Sequence, residues 1–408
     1  MKANWQTRTL AELCEIFGDG DWIESKDQSA EGIRLIQTGN VGEGIFKDRG
    51  EKARYISEET FKRLRCTEIF EGDCLISRLP DPAGRSCILP DTGERMITAV
   101  DCTIVRFNSK QALPEFFNYF TQSRDYLSTV DGETTGTTRK RISRSKLADV
   151  LIPVPPIPEQ QRIVTLLDEA SDGIATAKAN AEKNLQNARA IFESHLQSVF
   201  IQRGDGWIEK SFEESIESNV IGLTKSSREQ GEDLAWPYVK MNNITTDNRF
   251  DFSRSTCVDA TNEEVKKYSL RTGDFLFNTR NSYELVGKSC IYESNSNSTV
   301  LFNNNIMRVR FKSEVDANFV LLAFASKPVS DALNAMKSGT TNVSAIYFKD
   351  LKSLVIPMPP LADQKAITMK LYGLGEETQR LESTYQQKLT ALDELKKSLL
   401  HRAFSGQL

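Results

Sequence analysis

The stretch "LIPVPPIPEQQR" at residues 151–162 returns as "LVIPMPPLADQK" at residues 354–365. Pro153 stands in register with Pro357, Pro155 and Pro156 with Pro359 and Pro360, and Gln160 with Gln364. The offset is 204 residues, half of the 408-residue chain. A proline-dense joint leading into a helix-like segment, written once per half, predicts a duplicated architecture. Prolines suit such a joint because the ring locks φ and steers the preceding residue away from helix.

Further pairs keep the same order in both halves. "EGIRLIQTGNV" (residues 31–41) matches "LAWPYVKMNNI" (234–244), and "FEGDCLISR" (70–78) matches "LRTGDFLFNTR" (270–280). "GRSCIL" (84–89) matches "GKSCIY" (287–292), and the "GTT" of residues 136–138 matches that of 339–341. A shared order of weak matches is the signature of an internal repeat. The chain therefore divides into a globular part at 1–150, a proline hinge and long helix at 151–204, a second globular part at 205–353, and a second hinge and helix at 354–408.

Both globular parts read as mixed α/β. Branched apolar runs such as "CTIVRF" (102–107) and "NIMRVRF" (305–311) predict strands. "LPEFFNYFTQSRDYLSTV" (113–130) and "DANFVLLAFASKPVSDALNAM" (316–336) carry apolar residues at helical spacing, with Pro328 expected to interrupt the second. After each hinge a seven-residue period takes over. Leu167, Ile174, Ala181, Ala188 and His195 form one seam, interleaved by Ala170, Ala177, Asn184, Ile191 and Ser198. Leu371, Thr378, Tyr385, Leu392 and Leu399 form the other, interleaved by Leu374, Leu381, Lys388, Leu395 and Arg402. A helix of about 40 residues spans about 60 Å and is unstable alone in water. The alanine-rich copy and the bulky copy suit each other, so an antiparallel coiled-coil pair is the simplest closure.

Composition excludes several classes. There is no apolar run long enough to cross a membrane, and residues 1–17 lack the features of a secretory signal. Seven scattered cysteines without CxxC spacing favour reduced thiols and a cytoplasmic setting over a zinc site. Two histidines, His195 and His401, both on the long helices, leave no histidine-based triad or metal site. No phosphate-binding GxxxxGK[ST] loop occurs. Neither Pro-Pro pair belongs to an adenine-methyltransferase tetrapeptide, since both sit in the hinges. The chain reads as non-catalytic.

What remains is polar chemistry in loops, where function usually resides. "RKRISRSK" at 139–146 holds five cations and no acid, and follows a Gly/Thr loop. Guanidinium and ammonium groups suit phosphates, arginine also grips guanine edges, and threonine hydroxyls position phosphates. The candidate nucleic-acid contacts in the first half are Thr38, Asn40, Ser77, Arg78, Thr137, Thr138, Arg139, Lys140 and Arg141. In the second half they are Lys240, Asn242, Asn243, Asn278, Arg280, Thr340, Thr341 and Asn342. Arg78 and Arg280 are expected at equivalent places beyond the "GD-x-L" strands, and Phe107 and Phe311 in cores. A net charge of −4 makes indiscriminate coating of polyanions unattractive, while local basic surfaces stay open.

With repeated domain, hinge and helix in place, the chain resembles the specificity subunit of type I restriction–modification systems. The carrying residues are the two hinges, the "GDCLISR"/"GDFLFNTR" pair, the "GTT" loops and the terminal "LKKSLLHRAFSGQL" (395–408). The second hinge departs from the first by reading "LADQ" where the first reads "IPEQ". The resemblance implies an α/β fold of two similar target-recognition domains and an antiparallel two-helix coiled coil related by a pseudo-twofold repeat. Each domain would read half of a split double-stranded DNA target, and the coiled coil would set the spacer. It also implies two adenine-methyltransferase subunits carrying S-adenosylmethionine, and translocase–nuclease subunits using ATP and magnesium. This chain itself would bind no cofactor. The alternatives are an orphan or anti-restriction variant, and a coiled-coil adaptor whose "PVPPIP" segment docks a polyproline reader.

Overall fold

A computed structural model describes residues 4–137, 139–253, 256–293 and 298–408. Two long helices dominate: a first rod at Ile157–Gln202 and a second at Leu361–Phe404. The chain separates into two compact units, residues 1–183 with 385–408, and residues 184–384. The division falls within both rods, so each unit owns one globular domain and half of each rod. No described helix is long and apolar enough to cross a membrane.

In the first unit an antiparallel sheet orders Cys14–Asp19, Cys102–Phe107, Cys74–Ser77 and Ser86–Ile88. A second sheet places Ile33–Ile36 parallel to Met96–Thr98 and antiparallel to Tyr55–Ile56. The second unit repeats the plan. Its four strands run Ile216–Ile221, Ile306–Phe311, Phe275–Asn278, Ser289–Ile291, and Trp236–Val239 lies parallel to Leu301–Phe302. The two predicted strands are thus inner strands of their sheets. Phe107 and Phe311 do belong to cores, the former 5.0 Å from Phe117 and the latter 5.5 Å from Phe275.

The aspartate of each "GD" motif is structural. Asp73 receives both guanidinium nitrogens of Arg106 at 2.7 Å, and Asp274 those of Arg310 at 2.6 and 3.0 Å. These bidentate pairs hold the arginines' pKa above the ordinary value.

The proline hinges are less free than their composition suggests. Leu151–Val154 pairs antiparallel with Gln6–Thr9, and Val355–Met358 with Ile208–Ser211. Each is a short edge strand, where proline is tolerated. Both predicted domain helices are interrupted. Pro114–Phe120 gives way to Arg124–Gly132, whose N-cap Ser123 accepts from Tyr126 N–H. Ala317–Ala325 stops at Ser326, and Pro328 opens Lys327–Ala335.

Within each unit the rod halves run antiparallel. In the first, Arg162 donates to the Leu408 carbonyl at 3.0 Å and Lys178 pairs with Asp393. In the second, Arg189 meets Glu382 at 3.0 Å. The expected seam is buried at Leu167, Ile174, Ala181, Ala188, Leu371 and Thr378. The interleaved set needs correction from mid-rod onward. On the second rod, Leu381, Lys388, Leu395 and Arg402 point outward, and Glu382, Leu389, Lys396 and Ala403 take the inner positions. On the first rod, Leu185 and Phe192 likewise replace Asn184 and Ile191. The inner spacing is four then three rather than three then four, which suits a straight 3.6-residue helix turning relative to its partner.

The rod ends finish the domain cores. Phe404 lies 5.2 Å from both Phe116 and Phe120 in the first unit. Phe200 lies 5.3 Å from Phe319 and 6.0 Å from Trp207 in the second. Burying one such ring contributes roughly 1.5–3 kcal/mol. Each domain is therefore completed by the far end of the rod that did not grow from its own hinge.

Candidate nucleic-acid interface

Three loops gather at one end of the main sheet in the first unit. Strand Cys74–Ser77 ends with the Ser77 hydroxyl buried on the Leu79 carbonyl. Arg78 then donates its N–H to the Asp101 carbonyl and accepts from Ile142 N–H, which ties the loop after Thr134 to the sheet. Its side chain is only 5% exposed, 3.3 Å from Asp19 and on the Val100 carbonyl, and burial pushes its pKa down. Arg78 is thus held inside rather than presented.

The basic run is closed by reciprocal bonds between Thr135 and Arg141, 3.0 and 2.8 Å. Gly136 sits at φ +111°, where a Cβ would meet the Arg139 carbonyl at 2.6 Å. That accounts for the glycine of the "GTT" motif. Four of the five cations face acids from elsewhere: Lys140 with Asp131 at 3.7 Å, Arg141 with Asp101 at 3.1 Å, Arg144 with Asp19 at 4.0 Å, and Lys146 with Glu133 at 2.9 Å. Arg139 is exposed and has no ion pair among the described residues, and Thr137 is exposed beside it. Thr138 lies outside the described residues.

Thr38 and Asn40 belong to a single helical turn, Thr38–Asn40. Asn40 is buried, accepting from Gln37 N–H at 3.0 Å and donating to the Lys47 carbonyl at 3.0 Å. Asn243 repeats this with Lys240 N–H and the Asp251 carbonyl, both at 2.8 Å. Both asparagines shape their loops. Thr38 is half-buried, Lys240 reaches Gln230 at 3.1 Å, and Asn242 is exposed.

Sequence reasoning missed the residue that joins these loops. Arg85 donates to the carbonyls of Thr38 and Val41 on one side, and of Leu79 and Pro82 on the other. Its counterpart Lys288 donates to the carbonyls of Met241 and Ile244. Burial lowers the pKa of both cations. The signal was present as a cation preceding "SCI" in each copy.

In the second unit Asn278 is fully buried, donating to the carbonyls of Arg280 and Asn305. The expected equivalence of Arg78 and Arg280 does not hold. Ile346 N–H bonds the Thr279 carbonyl as Ile142 N–H bonds that of Arg78, so Thr279 is the counterpart. Arg280 stands one residue on, exposed, in a short strand paired with Ser344–Ala345. Beside that pairing, Tyr283 N–H bonds the Thr341 carbonyl at 3.0 Å, so the segment that follows Arg280 meets the loop of exposed Thr340, Thr341 and Asn342. Exposed Tyr283 and Val343 flank the same loop, with the Lys337 ammonium 4.8 Å above the Tyr283 ring. Gly339, at φ +122°, lets the loop close as Gly136 does.

Each unit therefore presents similarly braced loops with different exposed residues. The profile described as type I restriction modification DNA specificity domain matches twice, at residues 2–186 and 209–391. The EcoKI specificity subunit of Escherichia coli (strain K12) is 22% identical over 319 residues, covering 75% of this chain and 68% of that one. A chain solved in work on the assembly and conformational transition of a type I restriction–modification system superposes with a TM-score of 0.78 at 18% identity, over 100% of this chain and 99% of that one. The HsdS subunit from Thermoanaerobacter tengcongensis gives 0.66 at 18% identity, over 100% and 98%.

Proposed function

The chain belongs to the type I restriction–modification DNA specificity family, and from that premise we propose that each of its globular domains reads one half of a bipartite duplex target. The observation that carries this reading is a repeated scaffold with diverged tips. Arg85 and Lys288, Asn40 and Asn243, and the Asp73–Arg106 and Asp274–Arg310 pairs brace the two units alike. The exposed groups they support differ: Thr137 and Arg139 in one, Asn242, Arg280, Tyr283 and Asn342 in the other. Braces kept and tips changed is what reading two unlike half-sites requires, because base contacts specify and phosphate contacts position.

In this reading the rods, continuous between the units, set the number of base pairs separating the half-sites. Two adenine-methyltransferase subunits dock on them and supply the S-adenosylmethionine chemistry. Translocase–nuclease subunits, with ATP and magnesium, add cleavage, and this cytoplasmic chain contributes recognition alone. Buried Ser77, Arg78, Asn40, Asn243 and Asn278 act as supports, leaving Thr38, Thr137, Thr138, Arg139, Lys140 and Arg141 as contacts in the first unit. Lys240, Asn242, Arg280, Thr340, Thr341 and Asn342 have that role in the second. Exchanging residues 1–150 for the matching domain of a relative tests the reading. One half of the methylated motif changes and the other persists; simultaneous change of both halves contradicts independent reading.

A further inference from the structure

A second cationic feature of the first unit is built from residues outside the 139–146 run. A cleft of about 310 Å³ opens beside the Thr38–Asn40 turn, and Arg34, Arg49, Lys52 and Arg54 line it. Arg34 is its floor, nearly buried and spoken for: one nitrogen meets Asp48 and another meets Glu94 at 2.9 Å. The other three are exposed and have no ion pair among the described residues. This contrasts with the 139–146 run, where four of five cations already face acids.

Four cations against three carboxylates, Asp48 and Glu94 on Arg34 and Glu51 in the Gly50–Lys52 turn, leave the cleft net positive in a chain whose overall charge is −4. Like charges gathered this closely repel one another, and a polyanion relieves the repulsion. Arg49 is also placed rather than loose. A Cβ on Gly39 would come within 2.2 Å of its Nη1, so the guanidinium lies against the bare backbone of the turn. The second unit builds the same region with different residues, Lys240 standing in the place of Gln37 and reaching Gln230. By strand pairing, Pro237 stands for Arg34 and Thr256 for Arg54. After the carbonyl that its asparagine grips comes Phe252, stacked 5.8 Å from Phe250, in the place of Asp48. Residues 251–256 hold one cation, Arg254, outside the described residues, against three in residues 48–54.

We propose that Arg49, Lys52 and Arg54 make this cleft a seat for backbone phosphates of the duplex, about one for each cation, so that the first unit supplies the larger share of the salt-sensitive binding. The proposal rests on the reading that the chain binds duplex DNA and adds a division of labour to it: one unit anchors while both discriminate. Such contacts hold position and carry no sequence information.

The test is the salt dependence of duplex binding by the full chain, measured by anisotropy on a mixed-sequence duplex. Replacing Arg49, Lys52 and Arg54 together by alanine lowers the slope of log K against log salt by roughly 2–3, near 0.9 for each phosphate left without its cation. Gly39→Ala keeps every charge but displaces the Arg49 guanidinium, and lowers the slope by at most about 1. A control lacking Lys110, Lys266 and Lys312, exposed cations that do not line the cleft, leaves the slope near that of the unaltered chain. Equal losses in the triple variant and the control, or an unchanged slope in the triple variant, overturn the cleft assignment while duplex binding stands. Absence of duplex binding by the unaltered chain overturns the underlying reading as well.

Discussion

Gln160 and Gln364, 204 residues apart, make the same three hydrogen bonds in their respective units. The Gln160 carbonyl accepts from Leu113 N–H at 2.9 Å, and its amide donates to the carbonyls of Gln111 and Pro155. The Gln364 carbonyl accepts from Asp316 N–H at 2.8 Å, and its amide donates to Glu314 and Pro359. Both side chains are buried. This is why the hinge is written twice: the prolines aim the rod and the glutamine bolts it to its domain.

Replacing either glutamine by alanine strands a buried N–H and two carbonyls, at a cost of roughly 2–3 kcal/mol. Gln→Glu does not rescue, because a carboxylate cannot donate. Amide hydrogen exchange should show faster opening in the unit that carries the change and unaltered protection in the other.

Phe404→Ala removes a ring packed against Phe116 and Phe120 and should destabilise the first unit by roughly 3–5 kcal/mol. Phe200→Ala does the same for the second. Limited proteolysis reads the outcome: cleavage within residues 4–150 for Phe404→Ala, and within 205–353 for Phe200→Ala. Indiscriminate cleavage in either variant contradicts the assignment of rod ends to opposite domains.

Much of this is legible in the residues alone, because duplication makes weak signals corroborate each other. The hinge register, the rod seam through Leu167 and Leu371, and the break before Pro328 follow from spacing. The interleaved seam does not, because the second rod offers apolar side chains three and four residues after its seam positions, Leu395 and Leu381 among them. Arg78 and Arg280 match by residue type, whereas Thr279 takes the place of Arg78 in the fold, and only the bonds from Ile142 and Ile346 reveal it. Half of the neutralisation of the 139–146 run is hidden because Asp19 and Asp101 come from distant segments, whereas Asp131 and Glu133 precede the run in sequence and only the fold of the loop turns them onto Lys140 and Lys146.

The Tyr119 hydroxyl donates to Asp168 at 2.7 Å, fastening the first domain to its rod. Burial first, and then the Asp168 carboxylate, push its pKa up to about 12. The hydroxyl stays protonated in the folded chain at a pH where the unfolded chain begins to ionise. The stability margin over Tyr119→Phe, about 1 kcal/mol, is therefore full below about pH 10 and declines toward pH 12. Denaturant midpoints of the two proteins across that range check it; a constant margin contradicts it.

Four residues inserted into each rod lengthen it by about 6 Å, close to two base-pair steps of about 3.4 Å. The spacer of the methylated motif should grow accordingly while both half-sites keep their sequence, which methylation mapping reads directly. An unchanged spacer argues against the rods as the ruler.

Arg139→Ala, acting on a cation with no ion pair among the described residues, should weaken binding to every duplex and lower the salt slope by about 0.9, the share of one phosphate. Lys140→Ala and Arg141→Ala, each relieving an acid as well, should act more weakly. A loss confined to one base position makes Arg139 a base reader instead.

The most direct measurement is a genome-wide map of N6-methyladenine in cells with and without this chain. Two reading domains bound to one pair of rods predict a single split motif, two unlike half-sites around a fixed spacer, that disappears when the chain is removed. A contiguous motif, or a methylation pattern that persists without the chain, contradicts it.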